Sequence, residues 1–206
     1  EVIIAAPGLG VNAAGAEDGL VSLSGTSAAA PFVSGALAAL LSMTPGMTAD
    51  EAIKILCQYA NDAGAPGKDP VTGYGVLDVG RVLNRNVRGL YDVAVCTPYL
   101  HSWKNRDEDI VITTYVQNRG TEPLRHVQLR VRFDTVDQVL DFYDIEVSKT
   151  AGHDFRVAPE RIRQSGTILL TCTATIDGAI DISPTDNTNK SSLSLKPEAK
   201  PKTDAR

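Results

Sequence analysis

The amino-acid sequence predicts two parts, an α/β segment with several helices followed by an all-β sandwich. Three patterns indicate this division. Small residues fill positions 24–35 (SGTSAAAPFVSG) and lead into an apolar, helix-like stretch. A second helical pattern begins at the capping sequence of residues 48–51 (TADE). Further along, residues 126–133 (HVQLRVRF) alternate polar and apolar side chains, which is typical of a strand with one buried face.

Length and charge limit the classes of function. The chain has 206 residues and a formal net charge of -5, which allows one or two domains with real cores. The acidic balance argues against binding to nucleic acid or to an anionic membrane. The longest uninterrupted apolar run, about residues 36–43, is too short to span a bilayer, so a transmembrane protein is not expected. No signal peptide precedes Glu1, which opens inside a strand-like run, and we expect the natural N-terminus to lie upstream.

The three cysteines, Cys57, Cys96 and Cys172, cannot all pair, and their spacing fits no metal motif. Cys57 lies in a helical pattern, which favours a buried free thiol. Cys96 and Cys172 lie in strand-like segments, and the sequence leaves both a disulfide and two free thiols open. The cysteine count therefore does not fix the redox compartment.

Apolar runs and turn residues predict the elements of the first part. Residues 2–6 (VIIAA) predict a buried strand that Pro7 and Gly8 stop, and residues 10–19 predict a loop. The helix at Ser27 should continue to about Met43, before Pro45 and Gly46.

Two further helices are expected beyond that point. Thr48 and Glu51 form a capping box at the start of the second helix. Residues 64–67 predict a surface loop, and Asp78 should cap a last short helix that runs through Leu83.

Ser27 is the candidate for chemistry. A serine at a helix N-terminus keeps its hydroxyl exposed, and the free N–H groups there can stabilise an oxyanion. The plainer alternative is a Ser/Thr cap on a core helix. The whole stretch at 24–35 resembles the nucleophile motif of the subtilisin-like serine peptidases (subtilases), Gly-Thr-Ser-x-Ala-x-Pro followed by a helix of small residues.

The resemblance assigns roles residue by residue. Ser27 is the catalytic nucleophile, and Gly25, Thr26 and Ser27 form the nucleophile and oxyanion loop, in which the Ser27 N–H is the one oxyanion donor that can be placed. Ser24 and Ala28 are candidates for substrate binding.

The resemblance covers about residues 1–86. It also includes an Ala-Pro-Gly turn at 6–8, a helix that begins Thr-x-x-Glu, a strand with Gly-Tyr-Gly at 73–75, and a closing helix. We therefore expect residues 1–88 to be the C-terminal portion of a subtilisin-like peptidase domain.

The rest of a catalytic triad is not expected in this chain. Subtilisin orders its triad along the chain as Asp, His and Ser, so the resemblance implies that the Asp, the His and the oxyanion Asn precede Ser27. The three histidines, His101, His126 and His153, are isolated among strand or loop residues and predict surface positions. A companion segment should supply the missing groups, either as a separate processed chain or as sequence removed by truncation. This chain alone is then expected to be inactive.

Composition changes after a polar hinge at residues 81–90, and we place the domain boundary between residues 88 and 89. Alternating segments separated by turn signals predict a sandwich of about seven strands over residues 89–197, with a last strand at residues 191–195. Residues 198–206 are charged and contain proline, which predicts a flexible tail.

The second part resembles the CARDB-like, immunoglobulin-type modules found C-terminal to secreted bacterial enzymes. Residues 91–93 (YDV), 116–120 (VQNRG) and 186–189 (DNTN) carry the resemblance, and any fibronectin-like sandwich is the plainer alternative. The acids at 107–109, Asp181 and Asp186 suggest calcium, but no EF-hand spacing is present and solvated turn acids are the simpler account. No cofactor and no metal site is therefore predicted.

The two resemblances together imply an extracellular or cell-envelope serine endopeptidase that acts on protein or peptide substrates through an acyl-enzyme on Ser27. The alternative is a non-catalytic interaction or adhesion module, in which the sandwich binds a partner and the peptidase remnant is inactive. A companion chain with the Asp and His would favour the enzyme.

Overall fold

The computed structural model describes residues 1–16, 18–101, 109–158 and 167–194. The elements in these ranges are the helices α1 (Thr26–Met43), α2 (Ala49–Gln58) and α3 (Val79–Asn84), and the strands β1 (Val11–Ala14), β2 (Leu20–Leu23), β3 (Val93–Val95), β4 (Tyr99–Leu100), β5 (Ile110–Asn118), β6 (Leu124–Phe133), β7 (Val136–Ile145), β8 (Thr150–Val157), β9 (Thr167–Ile176) and β10 (Thr188–Ser194). All three helices precede the strand-rich part, as predicted. The expected tail at 198–206 lies outside the described residues.

Helix α1 extends from Thr26 to Met43, and its small side chains suit close packing. Its mean hydropathy is 1.4 and only 17% of it is buried, so by length and composition alone it could cross a membrane. The prediction that no segment is long enough was wrong by this measure, because it counted only uninterrupted apolar residues. Core helices of globular proteins meet the same criterion, so the measure is weak evidence for a membrane span.

Both predicted caps on the later helices are confirmed. At α2 the Thr48 hydroxyl accepts from the Glu51 N–H at 3.3 Å, and the Glu51 carboxylate accepts from the Thr48 N–H at 2.8 Å. This reciprocal pair satisfies two N–H groups that the helix itself leaves free. At α3 the Asp78 carboxylate accepts from the Arg81 N–H at 3.0 Å, and the helix runs to Asn84, one residue further than expected.

Three predictions about extended segments were wrong. Residues 2–6 and the Gly-Tyr-Gly segment at 73–75 are not strands, because they meet only through isolated bridges, among them Ile4 with Gly73 and Ala5 with Val76. Residues 11–14, expected in a loop, form β1 and pair antiparallel with β2. Whether a segment forms a strand depends on the segment that it pairs with, and a local sequence pattern does not show that partner.

The helices share one small hydrophobic core. It contains five buried side chains, namely Ala36 and Leu40 of α1, Ala52 and Leu56 of α2, and Val82 of α3. Helices α1 and α2 pack against each other through this cluster, and α3 closes it. Two of the five are alanines, so the described core of this part buries little apolar surface.

Gly75 lets the segment after α2 pack against the main chain. Its φ is +121°, and a Cβ there would lie 2.3 Å from the Asn61 carbonyl oxygen. We expect Gly75→Ala to destabilise the fold by about 3 kcal/mol or more, because it combines backbone strain with a clash against main-chain atoms. Gly67 is the matched control, since its φ is +84° but nothing lies within 4 Å of a Cβ.

Gly67→Ala should therefore cost only about 1 kcal/mol. Urea unfolding followed by helical circular dichroism measures both variants. Equal losses in the two would show that strain alone, and not the close approach, makes Gly75 necessary.

The second part is a two-sheet β-sandwich with eight described strands, one more than the seven expected. One sheet has the order β10-β9-β6-β7, and the other contains β3, β5 and β4 with β8 also paired to β5. Every pairing is antiparallel. Seventeen buried residues, most of them Val, Leu and Ile, fill the space between the sheets. Cys96 and Cys172 are both buried free thiols. Of the two alternatives that the sequence left open, the structure therefore has the free thiols and not the disulfide.

Candidate active site

Ser27 is the second residue of α1 and is exposed, as a nucleophile must be. The residue before the helix, Gly25, has a φ of +126°, a conformation that favours glycine. Its N–H donates to the Gly8 carbonyl at 2.7 Å, and its own carbonyl accepts from the Ala28 N–H at 3.0 Å. These contacts hold the turn that presents the Ser27 side chain to solvent.

Close backbone packing fixes this turn against residues 7–10. A Cβ on Gly8 would lie 3.0 Å from the Gly25 carbonyl oxygen and 3.4 Å from the Ala29 Cβ. The Ser24 hydroxyl accepts a hydrogen bond from the Gly10 N–H at 3.0 Å. Ser24 therefore ties the nucleophile loop to Gly10, just after the Ala-Pro-Gly turn, a positioning contact that the sequence pattern did not predict.

The main chain of Ser27 lacks the usual α-helical bonding at both of its polar groups. Its N–H belongs to the first turn and has no acceptor among the described residues, which leaves it free to donate to an oxyanion. Pro31 lies inside α1, four residues further on, and has no N–H to give to the Ser27 carbonyl.

The neighbours of Ser27 in the sequence divide into exposed and buried side chains. Thr26 and Ser24 are exposed beside it, whereas Ala28 is 6% exposed and packs inward. The roles given to Thr26, Ser24 and Ala28 stay predictions.

None of the described histidines contacts Ser27. His101 hydrogen-bonds to Thr113 through Nε2 at 2.7 Å, and His126 to Asp141 at 2.8 Å. The Asp141 hydrogen bond raises the pKa of His126, and the ring stacks on Tyr143. His153 lies edge-on to Phe155. All three belong to the sandwich, so none of them is placed as the base of Ser27.

The first part of the chain exposes large apolar side chains close in sequence to the turn before Ser27. Leu20 and Leu23 of β2 are 79% and 47% exposed, and Phe32 of α1 is 42% exposed. Exposed apolar patches of this kind commonly mark surfaces that another segment covers. A cavity of about 560 Å³ also lies between α2 and the turn joining β7 to β8, but Ser27 is not part of its lining.

The acids that suggested calcium have other partners or lie outside the described residues. Asp107 and Glu108 are not described. Asp181 accepts from the N–H groups of Val93 at 3.0 Å and Ser183 at 2.7 Å, and Asp186 pairs with Arg119 at 3.1 Å. Within the described ranges no three acidic, His or Cys side chains are arranged to hold a metal.

Comparison with known proteins agrees with the sequence interpretation of the first part. Residues 1–75 match the profile of the Subtilase family, over a segment that includes α1 and Ser27. A stretch of 64 residues is 41% identical to the Neisserial autotransporter lipoprotein NalP of Neisseria meningitidis serogroup B. This match covers 31% of the present chain and 6% of NalP, so the chain corresponds to a small part of that relative.

Two solved structures are similar to the strand-rich part. A domain assigned to a cell surface protein of Methanosarcina acetivorans has a TM-score of 0.42 and 11% identity, and covers 55% of this chain and 98% of that domain. A CARDB domain of Pyrococcus furiosus, solved in complex with di-metal ions, has a TM-score of 0.41 and 13% identity, and covers 51% and 88%. The sandwich architecture itself rests on the strand pairing described above.

The profile match and the NalP match therefore agree: residues 1–75, which contain Ser27, are similar to a segment of the subtilase family and relate this chain to the serine peptidases.

Proposed function

We propose that this chain is the nucleophile-bearing part of a subtilisin-like serine endopeptidase. The observation that carries the proposal is the exposed Ser27 at the first turn of α1, within the part of the chain that matches the family. A companion segment supplies the Asp, the His and the oxyanion Asn. The proposed location is the cell envelope or the exterior, since one relative is named an autotransporter lipoprotein.

The chemistry follows from the exposed hydroxyl and the free N–H. The Ser27 oxygen forms a bond to the scissile carbonyl carbon while the companion's His takes the hydroxyl proton. The Ser27 N–H donates to the oxyanion of the tetrahedral intermediate. The C–N bond then breaks, the amine leaves with the proton from His, and water hydrolyses the acyl-enzyme on Ser27.

The exposed apolar surface supports the companion. Leu20, Leu23 and Phe32 lie close in sequence to the nucleophile turn, and α1 buries only Ala28, Ala36 and Leu40 among its eighteen residues. Burying the rest of its apolar surface would be favourable by about 25 cal/mol for each Å² removed from water. A companion that completes the peptidase fold would cover this surface.

Labelling with a fluorophosphonate probe tests the proposal on the natively purified protein. We expect intact mass analysis to show a companion segment, either joined to this chain or as a second polypeptide, and one probe adduct on Ser27. Ser27→Ala should lose the adduct. Ser34→Ala is the matched control, because Ser34 is exposed on the same helix and bonds only to the Ala30 carbonyl; this variant should label normally.

The outcome against the enzyme is a native protein without a companion and without an adduct. The function would then rest on the sandwich as an interaction or adhesion module.

A further inference from the structure

The outer face of β5 is covered by the peptidase part of the chain. Tyr115 and Gln117 are 0% and 3% exposed, yet neither belongs to the hydrophobic core of the sandwich. Their side chains meet the segment that follows α2, residues 60–67. This segment was expected to contain a surface loop, and its Asp62 is buried against the sandwich.

Gln117 uses both ends of its amide on the main chain of that segment. Its Oε1 accepts from the Asp62 N–H at 3.0 Å, and its Nε2 donates to the Ala60 carbonyl at 3.1 Å. The Gln117 side chain thus accepts from one main-chain N–H and donates to one main-chain carbonyl of residues 60–62, as the backbone of a neighbouring β-strand does. Three per cent exposure leaves no room for water to replace these bonds.

Arg81 of α3 also binds both parts of the chain and shares the Ala60 carbonyl with Gln117. Its NH1 group donates to the Ala60 carbonyl at 2.9 Å, within the peptidase part. Its NH2 group donates to the Ser148 hydroxyl at 2.9 Å and to the Asn118 carbonyl at 3.3 Å, and its Nε donates to the Arg119 carbonyl at 3.1 Å. The guanidinium therefore links the end of α2 to three residues of the sandwich.

Tyr115 adds a third contact. Its hydroxyl donates to the Gly64 carbonyl at 3.2 Å and lies 3.5 Å from the Asp62 carboxylate. Burial raises the pKa of Asp62 to about 6, although the Gly67 N–H and the Tyr115 hydroxyl both favour the charged form. Opening the contact would leave several buried polar groups without their protein partners and is therefore costly.

The two parts of the chain differ in the size of their hydrophobic cores. The described core of the helices has five buried residues, and that of the sandwich has seventeen. With five fully buried residues, two of them alanines, the described core of the helices buries less apolar surface than the core of the sandwich, so the helices have more to gain from contacts outside their own core.

We propose that the sandwich is a built-in folding partner of the peptidase segment, and that Gln117, Arg81 and Tyr115 form the junction that holds α2 and residues 60–67 in place. The proposal does not depend on Ser27 being catalytic. It assigns the outer face of β5 to the chain's own peptidase segment and not to an external partner.

Hydrogen exchange on the full chain tests the junction. In Gln117→Ala, the amides of α2 should exchange about tenfold to a hundredfold faster than in the unchanged chain, because both buried hydrogen bonds to residues 60–62 are lost, together with the bond that Arg119 donates to Gln117. The amides of β9 should keep their protection. Gln128→Ala is the matched control, since Gln128 lies on an exposed part of β6 and bonds to Asp141 at 3.0 Å; it should leave α2 unchanged.

Two results would overturn the proposal. Unchanged exchange in α2 of Gln117→Ala would show that the junction does not support the peptidase segment. Equal acceleration in α2 and β9 would show that Gln117 serves the sandwich's own fold. If Gln117→Ala fails to fold, Arg81→Lys carries the same test, because it removes the guanidinium fork and leaves the sandwich sequence intact.

Discussion

The purified 206-residue chain should hydrolyse peptide substrates no faster than its own Ser27→Ala variant. The described residues contain an exposed serine but no histidine base beside it, since His101, His126 and His153 all lie in the sandwich. Without a base the serine keeps its proton and is a poor nucleophile.

Adding the companion segment should raise turnover by about a millionfold, the loss measured in subtilisin itself when the catalytic Ser or His is removed. Release of a chromophore from a peptide substrate measures it, with the chain alone, the chain with its companion, and the companion alone. Ser34→Ala in the complete enzyme should stay active. Robust hydrolysis by the chain alone that Ser27→Ala abolishes would show that the described residues already contain a base.

Local signals were the part of the fold that the sequence could predict. Helix α1, the capping box of Thr48 and Glu51, and the Asp78 cap all depend on residues within one or two turns of each other. The long strands β5, β6 and β9 were predicted from alternation or apolar β-branched runs, because each buries at least one face. These elements could be predicted because they depend on residues that are close together in the sequence.

Pairing between distant segments was not predictable in the same way. Residues 2–6 have the apolar composition of a buried strand, but in the described chain they pair with residues 73–76 only through isolated β-bridges. Gln117 and Arg81 are polar residues in a strand and in an expected hinge, positions that usually face solvent. No local pattern shows that residues 60–67 cover them, so the junction could be found only in three dimensions.

For the candidate site, the sequence predicted the exposed Ser27 at a helix start and the surface positions of His101 and His153, whereas His126, also expected at the surface, is half-buried. It missed the Ser24 contact with the Gly10 N–H, because fourteen residues separate the two groups. The turn itself follows from small residues that allow Gly8 and Gly25 to touch.

Asp92→Asn should stabilise the chain at alkaline pH, which is unusual for removal of a charge from a structured site. Asp92 is 7% exposed, and its Oδ1 has no hydrogen-bond partner among the described residues. Burial first, and then the charges of Asp186 and Asp181, raise its pKa to about 7, against the opposing effect of Arg119. The buried carboxylate is thus an unfavourable charge once its proton is lost.

The direction of the pH dependence follows from this pKa. In the unfolded chain the Asp92 carboxyl ionises near pH 4, whereas in the folded chain it keeps its proton up to about pH 7. The folded state therefore binds more protons between these values, and its free energy of unfolding falls as the pH rises through this window. The stabilising contribution of the protonated carboxyl is complete below pH 4 and fully lost above about pH 7.

An asparagine has the same size and no charge to bury, so it removes this dependence. We expect Asp92→Asn to gain on the order of 2 kcal/mol over the unchanged chain at pH 8 and little at pH 4, as measured by urea unfolding at both values. Asp137→Asn is the control, because the exposed Asp137 pairs with Arg130 at 2.6 Å and that pair lowers its pKa. Its loss should destabilise slightly at pH 8. A gain for Asp92→Asn of the same size at both pH values would contradict the assignment, since an effect of packing alone does not depend on the proton.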